Sequence, residues 1–103
     1  MISKSDWKLF QELLPIWQER YMERILEEYK DIIGSNDIAS SRFWALDKRI
    51  KSDKRKYGVI VRDLRKSEVE LITVMLIHEN AITEEDLISF SGEFKEMVRR
   101  NFK

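Results

Sequence analysis

The chain has 103 residues, 43% hydrophobic and 11% aromatic, and a formal net charge of zero. Disordered chains are poor in aromatic residues and carry excess charge, so this composition predicts a single folded domain over residues 1–103. Cysteine is absent, which excludes disulfides and thiolate metal sites. The first residues lack a secretory-signal pattern, and no apolar run reaches the roughly 20 residues that span a bilayer. A cytoplasmic protein without a membrane partner is therefore expected.

Apolar residues recur every three or four positions through the first third of the chain, which is the spacing of one helical stripe. The residues of this stripe are Trp7, Phe10, Leu14, Trp17, Tyr21, Ile25, Tyr29 and Ile32. They predict a helix from Asp6 to Ile33, with Ser5 as its N-cap and Gly34 as a left-handed C-cap. Pro15 should kink or break it, because proline lacks the N–H donor. Unbroken, the helix would be about 42 Å long, against a diameter of roughly 33 Å for a compact domain of this size. Either Pro15 bends the chain or the helix overhangs and packs on a partner.

The middle of the chain predicts two more helices and one ambiguous segment. The second helix is predicted from Ser41 to Lys56, and Gly58 ends it. Residues 58–64 contain a β-branched run that fits either a short strand or an extended link. Ser67 and Glu70 form a capping-box pattern before a stretch that is apolar on all sides, which predicts a buried central helix.

The last third carries two further helix starts. Thr83 with Asp86 has the capping pattern of a helix start, and Ser91 is predicted to cap a final helix. The expected apolar contacts of that helix are Phe94, Met97, Val98 and Phe102. The elements together predict an all-α fold, a small bundle of four to five helices, with 58–64 as the one candidate strand.

Side chains that could activate one another for catalysis are scarce. His78 is the only histidine, no cysteine can pair with it, and no serine stands in a Gly-x-Ser-x-Gly turn. The three glycines are isolated, so a glycine-rich phosphate loop is absent. The acids of residues 84–86 are interpreted as complementing a helix dipole rather than as metal ligands. The sequence therefore predicts a non-enzymatic protein with no cofactor or metal.

Neutral total charge conceals a strong partition along the chain. The net charge is −3 over residues 1–41, +7 over 42–66 and −4 over 67–103. The central bases either contact phosphates or an acidic protein surface, or pair internally with the acidic helices on either side. The residues predicted to bind a macromolecule are Lys48, Arg49, Lys51, Lys54, Arg55, Lys56, Arg62 and Trp44.

Three tryptophans, Trp7, Trp17 and Trp44, are many for so short a chain. They either fill the core or anchor a partner, since aromatic residues are enriched at interfaces. The first functional hypothesis is a helical interaction or regulatory protein, dimeric, whose partner is a second copy, an acidic protein surface or both. The alternative is a nucleic-acid-binding regulator that uses the basic stretch 48–56.

The order of elements after Gly58 resembles that of ribbon-helix-helix proteins, in which paired strands of a dimer enter the DNA major groove. The resemblance covers about 45 residues and rests on element order alone. It implies a strand over 58–64, with Arg62 on the same face as Lys56 and Ile60.

A second resemblance rests on matching residues rather than on the order of elements. The chain is similar to a family of short uncharacterised bacterial proteins that sometimes carry the label "multidrug transporter". It implies no site residues, and the label conflicts with the lack of any segment able to span a membrane. The matching positions are Phe43-Trp44-x-Leu46-Asp47-Lys48-Arg49-Ile50-Lys51-x-Asp53-Lys54-Arg55, Gly58-Val59, Ile82-Thr83-x-x-Asp86-Leu87-x-x-Phe90-Ser91 and Lys95-Glu96.

Overall fold

The first helix, α1, runs unbroken from Lys4 to Ile33 with Pro15 inside it, in a computed structural model that describes residues 2–102. Pro15 and Gln11, whose carbonyl the proline cannot pair with, both lie on the exposed side of the helix. Water can therefore satisfy that carbonyl, which lowers the cost of an internal proline. The predicted break at Pro15 is wrong, because α1 continues through it as one helix.

Both ends of α1 are capped differently from the prediction. Ser3 is the N-cap, because its Oγ accepts the Asp6 N–H at 3.1 Å, while Ser5 lies within the first turn. Gly34 follows the helix with φ of −89°, so the predicted left-handed cap is also wrong. Its N–H donates to the Lys30 carbonyl at 2.8 Å, which continues the helical bonding pattern.

Three more α-helices and two short 3₁₀ turns follow within the described residues. The second helix begins two residues before its predicted start and ends three residues before its predicted end. Residues 58–64 form turns and irregular chain rather than a strand, so the strand that a ribbon-helix-helix layout needs is missing. The helices are α2 (Ala39–Asp53), α3 (Val69–His78) and α4 (Gly92–Phe102), and the 3₁₀ turns are Lys66–Glu68 and Glu84–Leu87.

Of the three helix caps predicted after residue 66, one is wrong and two are confirmed. Ser67 lies in a 3₁₀ turn and caps nothing in α3, whose N-cap position is Glu68. The Thr83–Asp86 capping box forms as predicted. Ser91 caps α4 by accepting the Phe94 N–H at 3.1 Å. The predicted side-chain contact of Phe102 lies outside the described side chains.

The hydrophobic core lies at one end of the molecule, between the first half of α1 and the elements after residue 68. Trp17 is its centre, with ring centroids 5.9 Å from Phe10 and 6.3 Å from Phe90. Phe90 in turn stacks on Phe94 at 4.5 Å. The predicted central helix α3 is buried on one side only, since Leu71 is exposed.

Polar contacts join α1 to the distant end of the chain at this core. Asp6 is buried and accepts the Ser91 N–H at 3.0 Å and the Ser91 hydroxyl at 2.6 Å. Arg20 donates two hydrogen bonds of 2.9 Å to the Asp86 carboxylate. Partial burial disfavours the charged Asp86 carboxylate, but the bonds from Arg20 and the Thr83 N–H outweigh it and lower the pKa of Asp86.

The other end of the molecule is a two-helix hairpin. Arg42 of α2 donates to the Ile33 carbonyl at 2.8 Å, and Arg49 donates to Glu28 at 2.5 Å, so α2 packs antiparallel on the second half of α1. The molecule measures 52 × 25 × 23 Å and its radius of gyration is 16.3 Å. It is therefore longer than the compact domain expected. No helix within residues 2–102 has the length and apolar character needed to cross a membrane.

Candidate interaction site

The hairpin has an incomplete core of its own. The one buried residue of α2 is Asp53, and none of the apolar side chains of that helix is buried. In α1 the buried stripe ends at Ile25, although apolar residues continue to Ile33. Exposed apolar side chains are ordinary when scattered singly, so their arrangement decides whether they form a surface.

These side chains gather on one side of the hairpin. Met22, Leu26 and Ile33 share one side of α1, because positions i, i+4 and i+11 fall on one helical stripe. Phe43 and Ile50 share one side of α2 by the same spacing. We call these five residues the hairpin face. Leu26, Ile33 and Phe43 are more than half exposed, at 54%, 52% and 63%.

A groove runs along the hairpin face between the two helices. Its volume is about 160 Å³ and its exposed lining is almost wholly apolar. Val59, from the segment after α2, contributes to its lining. The lining residues are Met22, Ile25, Leu26, Tyr29, Ile50, Asp53, Lys54 and Val59.

A buried carboxylate holds the base of this groove together. Asp53 Oδ2 accepts the Tyr29 hydroxyl at 2.6 Å and Arg49 Nε at 2.9 Å, and Lys56 Nζ lies 3.5 Å from Oδ1. The Arg49 guanidinium also lies 5.5 Å from the centre of the Tyr29 ring. Burial, the hydrogen bond to Asp53 and its charge raise the pKa of Tyr29 to about 12.

The raised pKa of Tyr29 predicts a loss of stability at high pH. Between its ordinary value of 10.0 and about 12, Tyr29 ionises in the unfolded chain but not in the folded one. Proton release then favours unfolding, so the free energy of unfolding should be constant with respect to this group below pH 10 and fall above it. Urea unfolding from pH 9 to 12, compared between the wild type and Tyr29→Phe, measures this contribution. Parallel pH dependences would contradict it.

The predicted binding residues divide into paired and exposed groups. Arg49 and Lys56 are half-buried and pair with Asp53 of the basic stretch itself, and Arg49 also pairs with Glu28 of α1. Lys51 is exposed and pairs with Asp47 of its own helix at 3.0 Å. Four other bases are exposed and form no ion pair with any residue of 2–102; they are Lys48, Lys54, Arg55 and Arg62.

Three of the exposed bases form a row along α2 and just past its end. Lys48, Lys51 and Arg55 line one shallow surface depression together with Asp47 and Ser52. Trp44, one turn earlier on that side, is 63% exposed, and its ring meets Phe43 edge to face at 5.0 Å. Arg62 lies in the irregular segment after α2, apart from this row. We call Lys48, Lys51 and Arg55 the basic row.

The acidic side chains of Glu84 and Asp86 form structural contacts. Asp86 bonds Arg20 and the Thr83 N–H, and Glu84 accepts Arg99 Nε at 3.3 Å. Within the part of the chain that the structure describes, no group of three or more His, Asp or Glu side chains is placed to hold a metal ion.

The apolar half of the site was not predicted from the sequence. The predicted stripe of α1 followed one row through Tyr29 and Ile32, whereas Met22, Leu26 and Ile33 form a second row beside it. Their spacing of four and seven was the available signal. Comparison of the chain with protein-family models, with curated proteins and with solved structures gives no match.

Proposed function

We propose that this chain is a non-enzymatic helical interaction protein whose hairpin face binds a helix of another protein subunit. The observation that carries the proposal is the absence of any buried apolar side chain in α2. A helix with apolar residues on one side gains most of its stability by burying them. A partner helix on the hairpin face would cover Leu26 and Phe43 and complete that burial, as in other helix-in-groove complexes.

The charges beside the hairpin face favour a protein partner over a nucleic acid. A surface that binds phosphates is uniformly basic, since each contact replaces counterions. Here the basic row lies along α2 and just past its end, on the side away from α1, but α1 exposes Glu19, Glu23 and Glu27. A phosphate backbone laid across the hairpin would meet these acids. The exposed Lys48, Lys54, Arg55 and Arg62 are what support the nucleic-acid alternative.

Site-specific photo-cross-linking tests the proposal. A benzophenone amino acid replaces Phe43 in one variant and Ile88 in a control, because Ile88 is also exposed, at 74%, but lies outside the hairpin face. Irradiation in the host cell is expected to give one discrete protein adduct at position 43, identified by mass spectrometry. Adding Leu26→Glu should abolish that adduct, since a buried carboxylate in the groove is costly.

Two results would contradict the proposal. One is an equal yield of diffuse adducts at positions 43 and 88. The other is saturable binding of a labelled DNA duplex that weakens steeply between low and moderate salt, without an adduct at position 43. The second result would favour the nucleic-acid function and assign the basic row to phosphates.

A further inference from the structure

The end of the molecule that carries the hairpin contains almost no buried side chain. Across residues 26–56, all of which the structure describes, Asp53 is the one buried residue. The buried apolar side chains that the structure describes all lie at Ile25 or earlier, or at Val69 or later. Burial of apolar surface is the main favourable term in folding, so residues 26–56 gain little of it. We call this stretch the hairpin unit.

The helix α2 has few local supports of its own. Its N-cap position is Ile38, which makes no side-chain cap bond, and its first turn holds no acidic residue. A capping side chain and first-turn acids normally stabilise a helix start. The helix is 15 residues long, a length at which isolated helices are marginal in water. Its side chains Leu46 and Ile50 are only half-buried. We therefore expect α2 to unwind when it leaves α1.

Polar contacts around Asp53 hold α2 on α1. Asp53 Oδ2 accepts the Tyr29 hydroxyl at 2.6 Å and Arg49 Nε at 2.9 Å, and Arg49 also donates to Glu28. The other oxygen, Oδ1, has no hydrogen-bond partner within residues 2–102, although Lys56 Nζ lies 3.5 Å away. Removing a carboxylate from water is costly unless both of its oxygens are bonded. The closed hairpin is therefore held by contacts whose net stabilisation is small.

The chain leaves the hairpin unit through a firm attachment to the core. The Glu79 carboxylate, just after α3, accepts the Tyr57 N–H at 3.1 Å and the Gly58 N–H at 2.9 Å. The Tyr57 carbonyl accepts Gln18 Nε2 at 2.9 Å, and Gly58 lies directly against the buried Tyr21 ring. None of these contacts involves the hairpin unit. An opening of the hairpin unit can therefore end at Tyr57 without disturbing the core.

A second attachment lies where α1 enters the hairpin unit. Arg24 donates to the Asn80 carbonyl at 2.7 Å, and Ile25, which is 5% exposed, is the last buried residue of the helix. Extending a helix from a part that is already fixed costs little per residue. The first part of α1 therefore remains in the core whether or not α2 is packed on the second part.

We infer that the hairpin unit opens by itself, with α2 detached from α1 and unwound, while the core and the attachments at Ile25 and Tyr57 stay intact. Units with few buried apolar contacts open at a lower free energy than the core that adjoins them. The hairpin face is present only in the closed form, because both helices contribute to it. The closed fraction therefore scales the apparent affinity for any partner of that face. The inference goes beyond the proposed function and does not require it, since the opening occurs in the free chain.

Native-state hydrogen exchange on the wild-type chain tests the inference. Amide exchange is followed by NMR at increasing urea concentrations below the unfolding transition. The amides of residues 43–53 in α2 are expected to share one opening, with protection at least about tenfold lower than that of residues 17–21 in the core. This opening should depend on urea less steeply than global unfolding does, because it exposes less surface.

Two results of this experiment would overturn the inference. One is the same opening free energy and urea dependence for residues 43–53 and 17–21, because α2 would then open only with the core. The other is a separate, urea-independent rate for each α2 amide, since such fraying detaches no helix from α1.

Ile72→Val separates the opening of the hairpin unit from the unfolding of the core. Ile72 is 2% exposed in α3, and the core that contains it is folded in both the closed and the open form. The substitution should therefore accelerate the exchange of residues 17–21 by about two- to tenfold and leave that of residues 43–53 unchanged. Equal acceleration of both sets would contradict a separate opening.

Arg49→Ala tests the contacts that close the hairpin unit, and Arg55→Ala is its matched control. Arg49 bonds Glu28 and Asp53 in the closed form only, so its loss should accelerate the exchange of α2 by about tenfold or more. Arg55 is exposed and forms no ion pair within residues 2–102, so its loss should change that exchange by about twofold or less. Equal rates in the two variants would overturn the inference, because α2 would then exchange without leaving α1.

Discussion

Replacing Trp17 with Ala is expected to lower the free energy of unfolding by about 3–5 kcal/mol, the range for removing a large aromatic side chain from a core. Trp17 is 3% exposed and contacts Phe10 and Phe90, so its loss leaves a cavity between α1 and the segment before α4. Small domains have total stabilities of roughly 5–15 kcal/mol, so the variant should be close to unfolded. Urea unfolding followed by far-ultraviolet circular dichroism measures the difference.

Trp44→Ala is the matched control for Trp17→Ala. The same change of side chain occurs at a residue that is 63% exposed and contacts Phe43. Substitutions at exposed positions usually change the free energy of unfolding by about 0.5 kcal/mol or less. Equal losses in the two variants, measured at one protein concentration, would show that the core is not centred on Trp17.

Gly58→Ala is expected to cost about 1–3 kcal/mol, although it adds only one methyl group. A Cβ atom at position 58 would lie 2.6 Å from Cδ2 and 2.8 Å from Cγ of the Tyr21 ring, well inside van der Waals contact. Tyr21 is 3% exposed, so its ring has little room to move. Displacing residue 58 instead would weaken the 2.9 Å bond from its N–H to Glu79. Thermal and urea unfolding measure the loss.

Gly92→Ala tests whether that loss comes from crowding rather than from the removal of a glycine. A Cβ atom at position 92 would meet no atom within 4 Å, and the residue begins α4. Alanine is the better helix former, so this variant should be as stable as the wild type or slightly more so. If both alanine variants lost the same stability, the close approach of Gly58 to Tyr21 would not be the cause.

Helices and core residues were predictable because a single stripe of apolar residues carries both signals. Phe10, Leu14, Trp17 and Tyr21 are buried at the predicted spacing. The all-α fold follows from these stripes, and the structure confirms it. The conformation of residues 58–64 could not be predicted in the same way, because β-branched residues favour a strand only when another strand is present to pair with them.

Helix ends were harder to predict, because tertiary contacts choose among local alternatives. Ser3 and Ser5 can both cap a helix, but the bonds of Asp6 to Ser91 fix the start of α1 where Ser3 is the cap. The Glu70 side chain of the expected capping box bonds Asn101 of α4 instead. Such competition between local and distant partners is not visible in a sequence window.

The basic half of the candidate site was predictable and the apolar half was not. Charged residues such as Lys48 and Arg55 stay solvated in almost any fold, so their density along the chain is informative by itself. From the sequence alone, Leu26 and Ile33 would be assigned to the core, because the assignment changes only when the position of α2 is known. Only the hairpin geometry shows that α2 covers one edge of the apolar stripe and leaves the other open.

The contact between Asp6 and Ser91 also determines when the chain can fold during its synthesis. The two residues are separated by 85 positions, and within residues 2–102 the hydrogen-bond donors to the buried carboxylate belong to the later one. The chain must therefore be synthesised beyond residue 91 before the first turn of α1 can dock. Until then Phe10 and Trp17 lack Phe90 and Phe94, the aromatic rings that cover them. The growing chain thus leaves the apolar stripe of α1 exposed until the later segment packs on it.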